Sequence, residues 1–198
     1  MNAFYNISIF SLASRLISES PLLCNHFMSH SKQITIQNSY FQKYINPIYH
    51  SHESFTKFTI SSTNIQNFLN QAIHVEKSIQ WNDQQFFSPI NSVRTPFEKI
   101  NVTKCKFVFL NSRYCSGGAI QCFSSLLVTD CIFDHCKTIR GGGAIASYSE
   151  LIVKNTDINY CEGLFSASIF SDTYHRENVY LDFVSTLKCK SLMSNGAL

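Results

Sequence analysis

INVTKCKFVFLNSRYCSGGAIQCFSS (residues 100–125) runs directly into LLVTDCIFDHCKTIRGGGAIASYSE (126–150) and then into LIVKNTDINYCEGLFSASIFSD (151–172). The stretches align without gaps at their first motif. Val128-Thr129-Asp130-Cys131-Ile132-Phe133 falls on Val102-Thr103-Lys104-Cys105-Lys106-Phe107. Gly117-Gly118-Ala119-Ile120 returns 25 positions later as Gly142-Gly143-Ala144-Ile145. Cys136 and Cys161 share that spacing, Cys189 follows after 28 residues, and VYLDFVSTLKCKSL from Val179 matches LIVKNTDINYCEGL position for position. Counting eight residues on from Cys189 reaches Ala197, so Asn195-Gly196-Ala197-Leu198 reads as another copy of the glycine motif. A repeat of this length decides the fold before any single residue does.

Fainter copies precede these. Ile34–Phe41 and Phe58–Ile65 lie 24 residues apart and share the order strand, polar corner, short strand. Residues 79–99 fit worst and contain Pro89 and Pro96, the mark of a degenerate coil or an inserted loop. The expected organisation is a cap over 1–30 and repeats over 31–198, degenerate in 31–99, clear in 100–198 and broken off at the C-terminus. Phe4, Ile7, Ala13, Leu16 and Ile17 have the spacing of an amphipathic helix, so the cap is expected to be helical or irregular.

Each unit alternates apolar and polar residues over segments too short for stable helices. One unit alone cannot bury its apolar side, whereas parallel stacking at about 4.8 Å per layer does. The chain is therefore expected to be all-β, a right-handed parallel β-helix of six to seven turns. In it, Gly117, Gly118, Gly142 and Gly143 serve a corner that needs positive φ or close backbone approach. Ala119 and Ala144 are small where the interior narrows, and Ile120 and Ile145 point inward. Phe107 stacks on Phe133, with Phe41 and Ile65 below them. Cys105 and Cys131 are stacked neighbours, as are Cys136, Cys161 and Cys189; buried thiols acting as small hydrophobes are expected rather than disulfides. Asn111, Asn155 and Asn159 are placed at turns as amide ladders.

The spaced Cys or Phe followed by GGAI at this period resembles the polymorphic outer-membrane protein repeats of chlamydial surface proteins, and similar repeats of trichomonad surface proteins. That family pairs GGA[ILV] with FxxN. Here Phe133-Asp134-His135-Cys136 has Cys where Asn belongs, and Phe107 through Asn111 is one residue too long. The resemblance covers residues 100–198. It implies a parallel β-helix of the pectin-lyase type, displayed at a cell surface in an adhesin-like or antigenic role, with carbohydrate or protein as partner.

Composition narrows the function further. The 198 residues are 44% hydrophobic and only 15% charged, with a formal net charge of +3. That is too mild a surplus for nucleic acid as the main partner. No apolar run is long enough for a transmembrane helix, and the N-terminus lacks the basic region of a signal peptide. Pectin-lyase-like enzymes need carboxylates at equivalent positions of neighbouring turns. Asp130 aligns instead with Lys104 and Asn155, Asp134 with Asn159, and Asp157 with Ile132. Asp172 and Asp182, near His175 and Arg176, are the remaining acidic candidates and read as solvated loop. His50 with His52, and His26 with His30, have ligand-like spacing without a fixed third ligand. Trp81 reads as packing. No catalytic residue, metal or cofactor is expected. The expected function is a non-enzymatic segment binding through an extended sheet face; the alternatives are a divergent carbohydrate-active enzyme and an intracellular structural repeat. An open C-terminal end would favour self-association.

Overall fold

The computed structural model describes residues 5–10, 12–15, 23–24, 31–51, 57–75, 99–113, 115–172 and 178–193. The strands follow one another turn by turn. The first turn holds β1 (Tyr5–Phe10), β2 (Ala13–Arg15) and β3 (Leu23–Cys24); the second holds β4 (Ser31–Gln37), β5 (Tyr40–Gln42) and β6 (Tyr49–Ser51). Then come β7 (Lys57–Ser61), β8 (Asn64–Gln66) and β9 (Ile73–Val75). The glycine-motif turns add a fourth strand each: β10 (Lys99–Thr103), β11 (Lys106–Val108), β12 (Asn111–Ser112) and β13 (Ile120–Cys122), then β14 (Ser125–Thr129), β15 (Ile132–Asp134), β16 (Lys137–Thr138) and β17 (Ile145–Ser147). The last strands are β18 (Leu151–Asn159), β19 (Glu162–Gly163), β20 (Ile169–Ser171), β21 (Val179–Leu187) and β22 (Lys190–Ser191).

Every pairing between these strands is parallel and joins equivalent positions of successive turns. From β4 onward the result is an all-β solenoid of about five turns, opened by β4, β7, β10, β14 and β18, with β1–β3 a layer before them and β21–β22 the start of the next; six to seven were expected. The difference arises in the middle, where β7 and β9 pair directly with β10 and β13. The degenerate coil or inserted loop expected over 79–99 falls, but for Lys99, on residues 76–98, which lie outside the described residues. A second correction concerns the cap. Tyr5–Phe10 pairs in parallel with β4, Ala13–Arg15 with β5 and Leu23–Cys24 with β6, so the described N-terminal residues continue the coil as strands where a helical or irregular cap was expected. An exposed sheet edge offers a row of backbone partners that outweighs a weak helical periodicity.

Three faces enclose the core. The first stacks β1, β4, β7, β10, β14 and the start of β18; the second stacks β2, β5, β8, β11, β15 and the end of β18. β18 runs through the corner between them, as β21 does after it, pairing along its whole length. The third face stacks β3, β6, β9, β13, β17 and β20, and a short sheet of β12, β16, β19 and β22 bridges the second and third.

Interior columns follow from the registers. Ile34, Phe58, Ile100, Leu126 and Leu151 form one; Ile36, Ile60, Val102, Val128 and Val153 form the next. On the second face Phe41, Ile65, Phe107, Phe133 and Ile158 stack in order. The Phe107 and Phe133 rings lie 4.7 Å apart and 3° from parallel. All of these side chains are fully or almost fully buried, each contributing about 1.5–3 kcal/mol relative to exposure.

Two corners turn the chain from face to face, and both use left-handed backbone. The first corner carries Asn38, Ser62, Lys104, Asp130 and Asn155, with φ between 46° and 53°. The second carries Lys43, Asn67, Phe109, His135, Tyr160 and Lys188, with φ between 52° and 61°. None is glycine, although glycine and asparagine tolerate this region best. The glycines of the GGAI motif have no positive φ. Of the two expected roles, close approach is therefore the one they fill. A Cβ on Gly118 would sit 1.9 Å from the Gly143 carbonyl oxygen, and one on Gly143 would sit 2.1 Å from that of Ala167.

Candidate functional site

The motif residues identified in the sequence come together as interior ladders. Gly117 pairs with Gly142, and Gly142 with Ser166. The Ala119 amide donates to the Ala144 carbonyl at 2.9 Å, and the Ala144 amide to that of Ser168 at 2.9 Å. Ile120 is in register with Ile145, and Ile145 with Ile169. Two copies escaped the sequence reading. Ser166-Ala167-Ser168-Ile169 occupies the motif position of the next turn, and Gln71-Ala72-Ile73 that of the preceding one. Their signal was small residue followed by Ile, without the glycines. Gly196, Ala197 and Leu198 lie outside the described residues, as do His26, His30, His52, Trp81, His175 and Arg176.

Cys105, Cys115, Cys122, Cys131, Cys136, Cys161 and Cys189 carry free thiols. Packing is only part of their role. The Cys105 thiol donates to the Thr103 carbonyl (3.3 Å) and the Cys131 thiol to that of Thr129 (3.2 Å). Ser39, Thr63 and Thr156 make the same bond to the residue two positions back, at 2.8 Å each. Cysteine at this corner is thus a large serine, filling the interior while capping a carbonyl. Cys136, Cys161 and Cys189 repeat the arrangement at the second corner. Neighbouring thiols interact. Cys105 is held far above the usual thiol range by its hydrogen bond with Cys131 and by burial, while the same bond draws Cys131 down. Cys161 is pushed up by its hydrogen bond with Cys136 and by burial, and Cys189 by Cys161 and burial.

Among the described residues the carboxylates are dispersed, in the registers the alignment predicted. Asp130 accepts from the Asn155 amide at 3.2 Å, Asp134 is in register with Asn159, and Asp157 lies between Ile132 and Ser185, whose hydroxyl donates to it. Asp182 is exposed and in register with Lys154; the Asp172 amide donates to the Ser147 carbonyl. Glu162 meets the Lys137 ammonium at 2.9 Å, and the Ser125 hydroxyl donates to Glu150 at 2.8 Å. Among the described residues there is no group of three or more His, Cys, Asp or Glu side chains arranged to hold a metal, and no helix long and apolar enough to cross a membrane.

The most distinctive outer feature is a column at the second corner. Phe109 and His135 have ring centroids 4.8 Å apart, His135 and Tyr160 are again 4.8 Å apart at 16°, and the Lys188 ammonium sits 5.6 Å from the Tyr160 ring. Phe109 is 53% exposed and Tyr160 42%. The ring faces are turned toward each other, so the column offers its edges outward. Beside it, Asp134 meets the His135 Nδ1 at 2.9 Å. Sequence reading passed over these residues because nothing in a linear pattern marks aromatic side chains on left-handed backbone. No protein-family model, curated protein or solved structure matches the chain.

Proposed function

We propose that this chain is a non-enzymatic binding segment of adhesin type, engaging a carbohydrate or protein partner along the outer second face and its corner. The observation that supports the reading is the Phe109–His135–Tyr160 column. Each of these residues holds left-handed backbone at a cost of about 1 kcal/mol. Asn67, one turn earlier in the same column, is the low-cost occupant. Stacking returns about 0.5–1.5 kcal/mol per ring pair, so the aromatic column is roughly neutral for folding. A half-exposed aromatic stripe that gains the fold little is the composition of a recognition surface. The Asp134 carboxylate on His135 and the Lys188 ammonium over Tyr160 border it and would fix orientation.

The test is the triple variant Phe109→Asn, His135→Asn, Tyr160→Asn. It should fold with stability within about 1 kcal/mol of the parent, because relief of left-handed strain offsets lost stacking. Parent and variant are compared on immobilised glycans and on purified extracellular-matrix proteins. At least tenfold weaker binding by the variant is expected. Equal binding, or no binding on either array, refutes the reading. Release of oligosaccharide from a glycan would transfer the assignment to a carbohydrate-active enzyme.

A further inference from the structure

Between the short sheet and the third face, a ring of polar groups is left unexplained by the interior ladders. His74 lies on β9, stacked on His50 with ring centroids 4.8 Å apart. Its Nδ1 is 2.6 Å from the Gln71 side-chain nitrogen and 3.9 Å from the Cys115 sulfur. Gln71 is 1% exposed. The Ser112 hydroxyl donates to the Gln71 side-chain oxygen at 3.3 Å, and the Cys115 amide donates to the Ser112 hydroxyl oxygen at 3.2 Å. The Thr138 hydroxyl donates to the Cys115 carbonyl at 2.6 Å, tying this loop to the next turn. Cys115 therefore belongs to none of the stacked thiol columns. Its residue is half-buried, whereas Cys105, Cys122, Cys131, Cys136 and Cys161 are buried.

We propose that Cys115 and His74 form a thiol–imidazole pair that makes Cys115 a site of covalent modification by small electrophiles, low-molecular-weight disulfides in particular. The thiol gives its proton to His74 Nδ1, leaving a thiolate beside an imidazolium. The thiolate attacks one sulfur of the disulfide and a new S–S bond forms. The old S–S bond breaks, and the departing sulfur leaves as a thiolate that takes the proton from the imidazolium. The Gln71 amide serves both states. Its NH2 donates to a neutral Nδ1. Turned over, its oxygen accepts from the protonated Nδ1 while its NH2 donates to Ser112. A buried amide wedged between an imidazole and a hydroxyl keeps the imidazole beside the sulfur in either state.

Pulse labelling of the folded chain with iodoacetamide, read cysteine by cysteine by peptide mass spectrometry, tests the pair. Cys115 should react at least ten times faster at pH 7 than Cys189, which is likewise half-buried. Its rate should level off with an inflection below the usual thiol value of about 8.5. His74→Phe keeps a ring to stack on His50 but has no Nδ1, and should slow Cys115 by about tenfold, one unit of thiol pKa. A Cys115 rate no greater than that of Cys189, an unchanged rate in His74→Phe, or an inflection at the ordinary thiol value overturns the proposal. If His74→Phe fails to fold, all thiols label together and the pH profile of the parent decides. With oxidised glutathione as a second probe, a mixed disulfide at Cys115 is expected; its formation elsewhere, or nowhere, overturns disulfides as the electrophile.

Discussion

Replacing Gly143 by alanine should destabilise the solenoid although alanine is ordinarily the better residue. The added Cβ would lie 2.1 Å from the Ala167 carbonyl oxygen, 2.7 Å from the Glu162 amide nitrogen and 2.9 Å from the Glu162 carbonyl carbon. All three are backbone atoms, so no side chain can swing aside. Reaching ordinary contact at 3.4 Å requires the next turn to move by 1.3 Å (3.4 − 2.1). That turn is pinned by the Gly143 amide on the Ser166 carbonyl (3.1 Å) and the Ala144 and Ile145 amides on that of Ser168 (2.9 and 3.1 Å). Losing two such bonds costs about 2 kcal/mol, and overpacking adds about 1–3 kcal/mol. The stiffer unfolded chain gives back about 0.4–1 kcal/mol. The expected net loss is about 2–4 kcal/mol, a large share of a typical domain's stability. Gly141→Ala is the internal control: its Cβ would meet Ser116 at 2.7 Å and 2.9 Å, in a loop one turn back, and should cost about 1 kcal/mol. Urea unfolding followed by circular dichroism gives both values. Native-state hydrogen exchange should show protection lost first at 142–145 and 166–170, since solenoid turns couple mainly to their neighbours. The reasoning fails if Gly143→Ala is as stable as the parent or no worse than Gly141→Ala. Ala167 and Gln71 carry a Cβ in the same column, so the requirement is placed on this particular approach between turns.

Phe133→Ala removes a fully buried ring stacked on Phe107 and should cost about 3–5 kcal/mol in the same assay; a loss under 1 kcal/mol would show that the ladder collapses freely. Cys131→Thr should be tolerated within about 1 kcal/mol, because Thr63 and Thr156 make the same carbonyl bond from the same column, whereas Thr63→Val should lose about 1 kcal/mol with its donor. The reverse order in thermal melts would reject the capping role. Stability should also fall in alkali. Cys161 binds its proton more tightly folded than unfolded, so its contribution is complete below about pH 8.5 and declines above it by up to about 1.4 kcal/mol per pH unit. Urea midpoints at pH 8, 9 and 10 should drop less steeply in Cys161→Ala; parallel lines would refute the assignment. Lys137→Met, which breaks the half-exposed bridge to Glu162, should change stability by under about 0.5 kcal/mol.

The sequence by itself determined the stacking. A strand ladder of parallel turns puts like on like, so the spacing of Val102 and Val128, Phe107 and Phe133, or Ile120 and Ile145 is also their register in space. The dispersal of the carboxylates could be read from the same alignment, since position in the repeat is position in the column. Local periodicity misled at Tyr5–Phe10 and Ala13–Arg15, where a helical spacing gave way to strands because edge pairing supplies backbone partners that an isolated helix must find within itself. Only the tertiary structure decided what happens at the corners and between columns. It set the left-handed backbone under Phe109, His135 and Tyr160, the thiol-to-carbonyl bonds, and the meeting of His74 with Cys115 across 41 residues. Those features depend on dihedral angles and on side chains from different faces, and a repeat fixes which residues lie above one another without saying which lie beside one another.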